Sequence, residues 1–352
     1  MNKTTFKEVL NMPRLITTFT IALLASICVG CVAKVQNKEQ RYQPKFTHYT
    51  KEMNRCLACS SPTYAPAHYK IHGDFVTVDG EEIWVERYGS GSPSIVLLNG
   101  GGDTIREWNK NIPTLAQHTT VIGYDRQGLG RTPLINKDIR TAKAVIERLH
   151  KLLQKIDAKP PYILVAHSIG GLYASYFSRK YPDEIAGIVT LDGNNRFEVF
   201  WDQLDKSKLS TKERTFLKKY MKDNAHPKKV TKESQQLLTK PQLTATEQAK
   251  LIEYLEIMGK PESAREIERL GALPKVPLIA ITETSPQSAK DPEANLWRTA
   301  MYQFSQEVPC SEFKVIQHSG HYSMIDQPKI INNAILRVLQ FAREKRSLCV
   351  AT

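Results

Sequence analysis

The chain has 352 residues, of which 41% are hydrophobic and 24% are charged. This composition excludes an intrinsically disordered chain, and the length suffices for one large core with an inserted subdomain. The formal net charge of +13 would suit an anionic surface or a nucleic acid. However, the lysines over residues 206–260 are scattered, without the interleaved arginines and aromatics of a nucleic-acid face. We therefore interpret the charge as mostly solvated surface and predict no nucleic-acid partner.

The N-terminal segment, residues 1–33, has the layout of an export signal. Basic residues precede an uncharged, mostly apolar run over residues 15–33, and polar sequence follows. Three endings are open: a lipoprotein-type cleavage before Cys31, ordinary cleavage after Ala33, or an uncleaved anchor, since the run approaches the ~20 residues that cross a bilayer. We expect an exported protein, either periplasmic or attached to a membrane through its N-terminus.

Residues 34–73 are predicted to form a tether. Cys56 and Cys59 make a Cys-x-x-Cys pair, while Cys310 and Cys349 stand alone in the sequence. The pair is not placed between a strand and a helix, as a thioredoxin-like site requires, and a zinc site would need two further ligands beside it. We expect an incidental disulfide or free thiols.

Strands and helices alternate from Asp74 onward. Asp79-Gly80 is a hairpin turn signal between two strand-like runs. Continuous apolar runs, typical of strands buried on both faces, and amphipathic helical patterns follow. In chain order we predict strands over 75–78, 83–88, 94–98 and 120–124, a helix over 142–156, a strand over 162–166, a helix over 170–180 and a strand over 185–191.

The alternation breaks at residue 197. Residues 197–269 contain helical, Lys- and Glu-rich segments such as 247–258, and no convincing strand. Two strands, over 277–282 and 313–316, then resume the sheet, and an amphipathic helix over 329–343 closes the fold.

These patterns predict an α/β protein with a mostly parallel central sheet and helices on both faces. The predicted core consists of residues 74–196 and 270–346. Residues 197–269 are predicted to form an inserted helical cap.

Ser168 lies in the sequence Ala166-His167-Ser168-Ile169-Gly170, after a buried strand and at the start of a helix. The sequence matches the nucleophile elbow Gly-x-Ser-x-Gly, except that Ala166 replaces the first glycine. The sharp turn that lifts a serine hydroxyl above a sheet needs small residues. Alanine is small enough, but it leaves less room than glycine. The N-terminus of the helix adds partial positive charge where an oxyanion would form. We predict that Ser168 is a nucleophile; the alternative is an ordinary serine in a strand-to-helix turn.

A base and an acid for Ser168 are expected downstream. His321 lies between the last predicted strand and the C-terminal helix, from which it could reach Ser168 across the ends of the parallel strands. In hydrolases that carry this nucleophile elbow, the chain order is serine, acid, histidine. Asp192 directly ends the strand over 185–191, so it can lie at the same edge of the sheet; otherwise it only caps or solvates the strand end.

Residues 74–344 resemble the α/β-hydrolase fold family, especially its capped esterase, peptidase and lactonase-like branches. Asn99-Gly100-Gly101-Gly102 is similar to the family's His-Gly-x-Gly oxyanion turn, with Asn99 in place of the histidine. The resemblance implies an oxyanion hole made by the backbone N–H groups of Gly101 and Ile169. Glycine at position 101 suits a close backbone approach.

Two further motifs carry the resemblance. The sequence from Asp125 to Gly130 is similar to the family's Asp-Arg-x-Gly-x-Gly turn, and Ser319-Gly320-His321, with the trailing Asp326-Gln327-Pro328, is similar to the loop that carries its catalytic histidine.

One departure from the family concerns the acid. Many members carry it after the next strand, in a Gly-x-x-Asp sequence, but here that strand continues as Ile281-Thr282-Glu283-Thr284-Ser285-Pro286 without an aspartate. An acid that ends the earlier strand also occurs in the family. We therefore prefer Asp192, with Glu283 as the second choice and Asp291 as the third.

The predicted reaction is acyl transfer to water. His321 would take the Ser168 proton, Ser168 would attack a carbonyl, the amides of Gly101 and Ile169 would hold the oxyanion, and Asp192 would orient His321. The partner is then a small-molecule acyl substrate, an ester, lactone, thioester, amide or peptide, and no metal or organic cofactor is required. Serine at the nucleophile position argues against the carboxylate chemistry of epoxide hydrolases and haloalkane dehalogenases. A non-catalytic ligand-binding or sensing protein on the same fold is the alternative.

Overall fold

The computed structural model describes residues 73–223, 232–284, 288–309 and 311–345. These ranges do not include the predicted export signal with Cys31, or residues 34–72 of the predicted tether. They also do not include Cys56, Cys59, Cys310 and Cys349. In the described ranges, no helix is both long and apolar enough to cross a membrane. The same ranges contain no group of three or more His, Cys, Asp or Glu side chains placed to hold a metal ion.

An eight-stranded sheet forms the centre of the molecule. Its strands are β1 (Gly73–Val78), β2 (Glu81–Tyr88), β3 (Ser94–Leu98), β4 (Val121–Tyr124), β5 (Tyr162–His167), β6 (Ile185–Leu191), β7 (Leu278–Thr284) and β8 (Glu312–Gln317). Their order across the sheet is β1-β2-β4-β3-β5-β6-β7-β8. Strand β2 is antiparallel to β1 and β4, and the remaining pairs are parallel. The mostly parallel sheet predicted from the sequence is thus confirmed.

Helices follow the strands in chain order. They are α1 (Ile112–Leu115), α2 (Ala142–Lys155), α3 (Gly170–Lys180), α4 (Arg196–Val199), α5 (Thr211–Asp223), α6 (Lys232–Thr239), α7 (Ala245–Glu268), α8 (Pro292–Ser305), α9 (Ser323–Asp326) and α10 (Pro328–Arg343). Short 3₁₀ turns lie at Ile105–Trp108, Pro182–Glu184, Trp201–Gln203, Lys206–Lys208 and Ser288–Lys290.

Both faces of the sheet are buried, because successive side chains of a strand point to opposite faces. In β3, Val96 and Leu98 belong to one hydrophobic core, which includes residues of α2, α3 and α8. Ile95 and Leu97 belong to a second core, which includes residues of α1 and α10. This arrangement explains why the central strands appear in the sequence as continuous apolar runs rather than alternating ones.

The first hairpin has the turn that its sequence predicts. Asp79 and Gly80 have φ values of 51° and 84°, and Val78 pairs with Glu81 across the turn. Two central residues with positive φ match the twist of the flanking strands, and Asp-Gly tolerates that conformation. Strand β1 begins at Gly73, which the sequence analysis assigned to the tether.

The segment between β6 and β7 is helical among its described residues. Its longest helix, α7, extends beyond the predicted 247–258 at both ends. Thr244 and Glu247 form a capping box at its start, and the helix continues through Pro261. At Gly259 the helix closely approaches the core: a Cβ there would lie 1.9 Å from the carbonyl oxygen of Arg140. Packing against the core therefore overrides the local helix-breaking tendency of Pro261.

Helix α8, between β7 and β8, is not among the elements predicted from the sequence. Pro292 occupies its first turn and Asp291 caps its N-terminus. Its buried residues, Leu296, Ala300, Met301 and Phe304, form one apolar stripe at helical spacing.

Candidate active site

Ser168 stands in a sharp turn between β5 and α3. Its φ of 51° lies in the left-handed region, where a non-glycine residue is strained. The turn is held from the side of β6. The Ser168 N–H donates to the carbonyl of Leu191 at 3.1 Å, and the Ser168 carbonyl accepts from the N–H of Asn194 at 2.7 Å and of Gly171 at 2.9 Å. Ser168 itself is partly exposed, whereas its neighbours His167 and Ile169 are buried.

The two glycines at positions 170 and 171, after Ser168, are needed for close packing. A Cβ on Gly170 would lie 2.3 Å from the carbonyl oxygen of Leu98, and one on Gly171 would lie 2.5 Å from that of Asn194. Helix α3 therefore begins directly against the end of β3 and the loop after β6. This explains the two small residues that follow the serine in the sequence.

The structure brings Asp192 and His321 together at the same edge of the sheet. Asp192 follows β6 with a φ of 42° and is 4% exposed. Its Oδ2 lies 3.5 Å from Nδ1 of His321. Its Oδ1 accepts from the hydroxyl of Thr282 at 2.7 Å and from the N–H of Glu283 at 3.3 Å. The Asp192 carboxylate is thus held in place by two residues of β7.

The two alternative acids lie in different surroundings. Glu283 flanks Asp192, and burial, followed by the charge of Asp192, raises the pKa of the Glu283 carboxyl to about 7. Asp291 caps α8, where its Oδ1 accepts from the N–H of Glu293 at 3.0 Å. Of the three acids considered, Asp192 is therefore the one with a direct contact to His321 among the described side chains.

The turn after β3 contains Gly101, one of the two residues of the predicted oxyanion hole. Asn99, which stands where the family's motif has histidine, holds the turn through two side-chain hydrogen bonds. Its Nδ2 donates to the carbonyl of Tyr124 at 3.1 Å, and its Oδ1 accepts from Nε1 of Trp108 at 2.9 Å. In the described part of the chain, no protein acceptor engages the N–H of Gly101 or of Ile169. Both amides are thus available to a substrate oxygen.

Sequence reasoning missed the buried ion pair between Arg126 and Glu256, although the arginine belongs to the quoted Asp-Arg-x-Gly-x-Gly motif. Arg126 Nε lies 2.5 Å from Glu256 Oε1, and the two side chains are 5% and 1% exposed. Burial acts to lower the pKa of Arg126, but the charge of Glu256, the hydrogen bond with Glu256 and the nearby Tyr173 and Tyr124 together outweigh it, and the pKa is raised. The guanidinium also donates to the carbonyls of Asn99 at 3.0 Å and Gly100 at 2.6 Å.

The same ion pair joins the oxyanion turn to α7. Glu256 Oε2 accepts from the N–H of Gly102 at 3.2 Å. A second buried pair, between Lys260 Nζ and Glu198 Oε1 at 3.1 Å, fastens α7 to α4.

Glu253, one turn before Glu256 on α7, is the other side chain that sequence reasoning missed. A Cβ on Gly101 would lie 3.3 Å from Glu253 Cγ and 3.9 Å from its Oε1, so this carboxyl lies beside the predicted oxyanion hole. Burial, with the charges of Asp103 and Glu256 added, raises its pKa to about 8. Glu253 nevertheless keeps partial solvent exposure.

Comparisons with known proteins agree with this architecture. A family model described as the alpha/beta hydrolase fold matches residues 93–244. The uncharacterized protein YbdG of Bacillus subtilis is 34% identical over 125 residues, which are 35% of this chain and 38% of that protein. The pimeloyl-[acyl-carrier protein] methyl ester esterase of Klebsiella pneumoniae is 29% identical over 110 residues, 31% of this chain and 40% of the esterase. The chain therefore matches less than half the length of these curated relatives.

A solved structure shows the same fold. The crystal structure of CarC, a serine hydrolase involved in carbazole degradation, superposes with a TM-score of 0.52 at 20% identity and covers 77% of this chain and 100% of CarC. The sheet order, the strained serine turn and the match of the family model over residues 93–244 lead to one conclusion: the chain has the α/β-hydrolase fold.

Proposed function

We propose that the chain is a serine hydrolase that cleaves a carboxylic ester or a related acyl bond, with Ser168 as nucleophile, His321 as base and Asp192 as the acid that orients it. The observation that carries the proposal is the 3.5 Å contact between Asp192 Oδ2 and His321 Nδ1, at the edge where Ser168 occupies its strained turn. The esterase named among the relatives supports the same reaction class.

The proposed reaction has two acyl-transfer steps. His321 Nε2 accepts the proton of Ser168 Oγ, which attacks the carbonyl carbon, and the resulting oxyanion accepts hydrogen bonds from the N–H groups of Gly101 and Ile169. The imidazolium gives its proton to the leaving alkoxide, and an acyl-enzyme remains. Water, deprotonated by His321, then releases the acid and regenerates Ser168. The proton on Nδ1 of His321 stays on the ring throughout, and Asp192 accepts its hydrogen bond through Oδ2 while Oδ1 is held by β7.

A fluorophosphonate probe tests this proposal, because it labels an activated serine hydroxyl. We expect the wild-type protein to be labelled and to hydrolyse p-nitrophenyl butyrate, and Ser168→Ala to do neither. Ser207→Ala, at an exposed serine bonded to Asp205, is the matched control and should behave like wild type. A folded wild-type protein that resists the probe would instead indicate a ligand-binding or sensing protein on this fold.

A second candidate function, cleavage of aminoacyl esters or amides, is favoured by Glu253. Because its pKa is raised to about 8, the Glu253 carboxyl is mostly protonated at neutral pH. A substrate ammonium group next to the carbonyl would favour the ionised form and pair with it, whereas a substrate without an amino group offers no such partner. The test uses alanine p-nitroanilide and propionyl p-nitroanilide, which differ only in the amino group. We expect Glu253→Gln to lower the alanyl-to-propionyl ratio of kcat/KM at least about tenfold, the equivalent of 1.4 kcal/mol. An unchanged ratio would exclude this candidate.

A further inference from the structure

His167, the residue directly before the nucleophile, has a fully buried side chain that the proposed reaction does not use. One ring nitrogen, Nε2, lies 2.9 Å from the backbone carbonyl oxygen of His321. The other, Nδ1, lies 3.2 Å from Asp103 Oδ2. The second oxygen of Asp103 accepts from the hydroxyl of Tyr322 at 3.0 Å. The His167 ring therefore connects Asp103 to the backbone of the loop that carries His321.

The hydrogen-bond partners of the His167 ring determine which of its two nitrogens carries a proton. A carbonyl oxygen can only accept, so Nε2 must donate its hydrogen to the carbonyl of His321. The contact between Nδ1 and the carboxyl of Asp103 then needs one further proton, carried by the ring or by the carboxyl. Burial lowers the pKa of His167, and the hydrogen bond with Asp103 opposes that effect. Asp103 thus keeps the ring oriented while Nε2 holds the carbonyl.

The network joins three loops that are distant in sequence. Asp103 follows β3, His167 ends β5, and His321 follows β8. Gly100 leaves the room that the network needs: a Cβ there would lie 2.3 Å from Asp103 Oδ2 and 2.7 Å from Nδ1 of His167. The nucleophile motif Gly-x-Ser-x-Gly allows any residue at position 167, so the motif itself gives no reason for this histidine.

The position of the His321 imidazole depends on the backbone of its loop as well as on the rotation of the ring. Asp192 contacts the imidazole of His321 and can fix the rotation of the ring, but it does not hold the backbone. Other bonds hold the loop further along the chain: the N–H of Gly320 donates to Asp326 Oδ2 at 2.8 Å, and Nε2 of Gln327 donates to the carbonyl of His318 at 3.1 Å. The hydrogen bond from His167 acts on the His321 backbone itself, next to the nucleophile.

We propose that His167 is a positioning residue: through its hydrogen bond to the His321 carbonyl, it sets the distance between the catalytic base and Ser168. This inference rests on the proposed serine hydrolase function. Small displacements of a reacting group can cost about 10²-fold in rate, so the effect should appear in kcat and in the rate of fluorophosphonate labelling, and much less in KM.

Two substitutions separate the two hydrogen bonds of the ring, and both equally remove its contacts with the rings of His321 and Tyr322, whose centroids lie 4.6 Å and 4.9 Å away. The amide nitrogen of glutamine occupies roughly the place of Nε2, and that of asparagine roughly the place of Nδ1. His167→Gln therefore keeps a donor for the His321 carbonyl, whereas His167→Asn keeps a donor for Asp103 only. We expect His167→Asn to lower kcat about 10- to 100-fold with KM within about twofold, and His167→Gln to restore most of the activity. Urea midpoints should be similar, since each variant loses one hydrogen bond.

Equal losses in the two variants, or a loss confined to KM, would overturn the proposal. If His167→Asn does not fold, the glutamine variant decides alone: folded His167→Gln with kcat near wild type supports the proposal, and a loss of about tenfold or more contradicts it. A failure of the proposed serine hydrolase function can be told apart from a failure of the His167 proposal. In the former case the wild-type protein itself is neither labelled by the fluorophosphonate nor active.

Discussion

Ser168 and Asp192 stand at the ends of two parallel strands, whereas Glu253 and Glu256 reach the same site from α7. The first two residues have positive φ values, 51° and 42°, and their N–H groups donate to Leu191 and Ile281 of the neighbouring strands. Backbone hydrogen bonds of an apolar sheet therefore fix their positions. Glu256 is instead held by the side chain of Arg126, 130 residues away in sequence.

The difference shows what each region depends on. At the sheet edge, charge can be removed from a side chain without moving it, because the backbone holds the position. On α7, buried charges are themselves the attachment, and an ion that loses its partner in a low-dielectric interior becomes strongly destabilising. Substitutions at the sheet edge should therefore change kcat more than the free energy of unfolding. Substitutions on α7 should change the free energy of unfolding more than kcat.

The largest expected effect concerns the acid at the sheet edge. Asp192→Asn keeps the shape of the side chain but disturbs the orientation and proton position of His321, so we expect kcat for p-nitrophenyl butyrate to fall by about 10⁴-fold. Glu283→Gln is the matched control, since Glu283 flanks Asp192, and its loss should be far smaller. Both proteins should retain the wild-type urea midpoint to within a small shift. A greater loss of activity in Glu283→Gln would transfer the role of the acid to that residue.

The next effect concerns the attachment of α7. Glu256→Gln leaves Arg126 buried without its counter-charge, and we expect it to lower the free energy of unfolding by about 3 to 5 kcal/mol. Glu262→Gln on the same helix breaks a pair with Arg265 in which both side chains are more than a third exposed, and should cost at most about 0.5 kcal/mol. Urea denaturation with linear extrapolation measures both values. Equal costs would mean that buried charge does not hold this helix.

The smallest effect is the pH dependence that arises from Glu253. Its pKa is raised to about 8 in the folded protein, so between about pH 5 and 8 the unfolded state has released this proton while the folded state retains it. The wild type should thus lose stability relative to Glu253→Gln as pH rises through this window, and the difference should level off above it. Since the carboxyl is partly exposed to solvent, we expect a change of roughly 1 to 2 kcal/mol.

Glu247→Gln is the control for this measurement. The hydrogen bond from Lys240, together with the backbone bond from Thr244, lowers the pKa of Glu247 to about 2. Both states of this exposed residue are therefore ionised above pH 5, and the stability difference between wild type and Glu247→Gln should stay constant from pH 5 to 8. A Glu253→Gln difference equally independent of pH would show that Glu253 is ionised in the folded protein.

Much of the fold was predictable from local patterns. The buried strands β3, β5 and β6 appear as apolar runs, and Asp79-Gly80 encodes its hairpin turn. Helix α8 was not predicted, although its apolar residues follow a helical pattern. The length of α7 was underestimated, because local propensity gives no reason for a helix to continue through Pro261; its contact with the core at Gly259 supplies that reason.

The candidate site was predictable where residues adjoin a strand end. Ser168, Asp192 and His321 could be named because parallel strands bring their carboxyl ends to one edge. The choice among Asp192, Glu283 and Asp291 stayed open in the sequence, since loop conformation decides which carboxyl faces His321. Only the structure shows that Asp192 contacts the imidazole, while Asp291 caps a helix.

The sequence by itself determined the α/β architecture, the order of its strands along the chain and the turn in which Ser168 lies, because each depends on the periodicity and size of neighbouring residues. The tertiary structure decided which charges meet. The pairing of Arg126 with Glu256, the carboxyl of Glu253 beside Gly101 and the contacts of His167 join segments that are separated by up to about 150 residues. Such contacts follow from how helices and loops pack onto the sheet, and no local pattern encodes them.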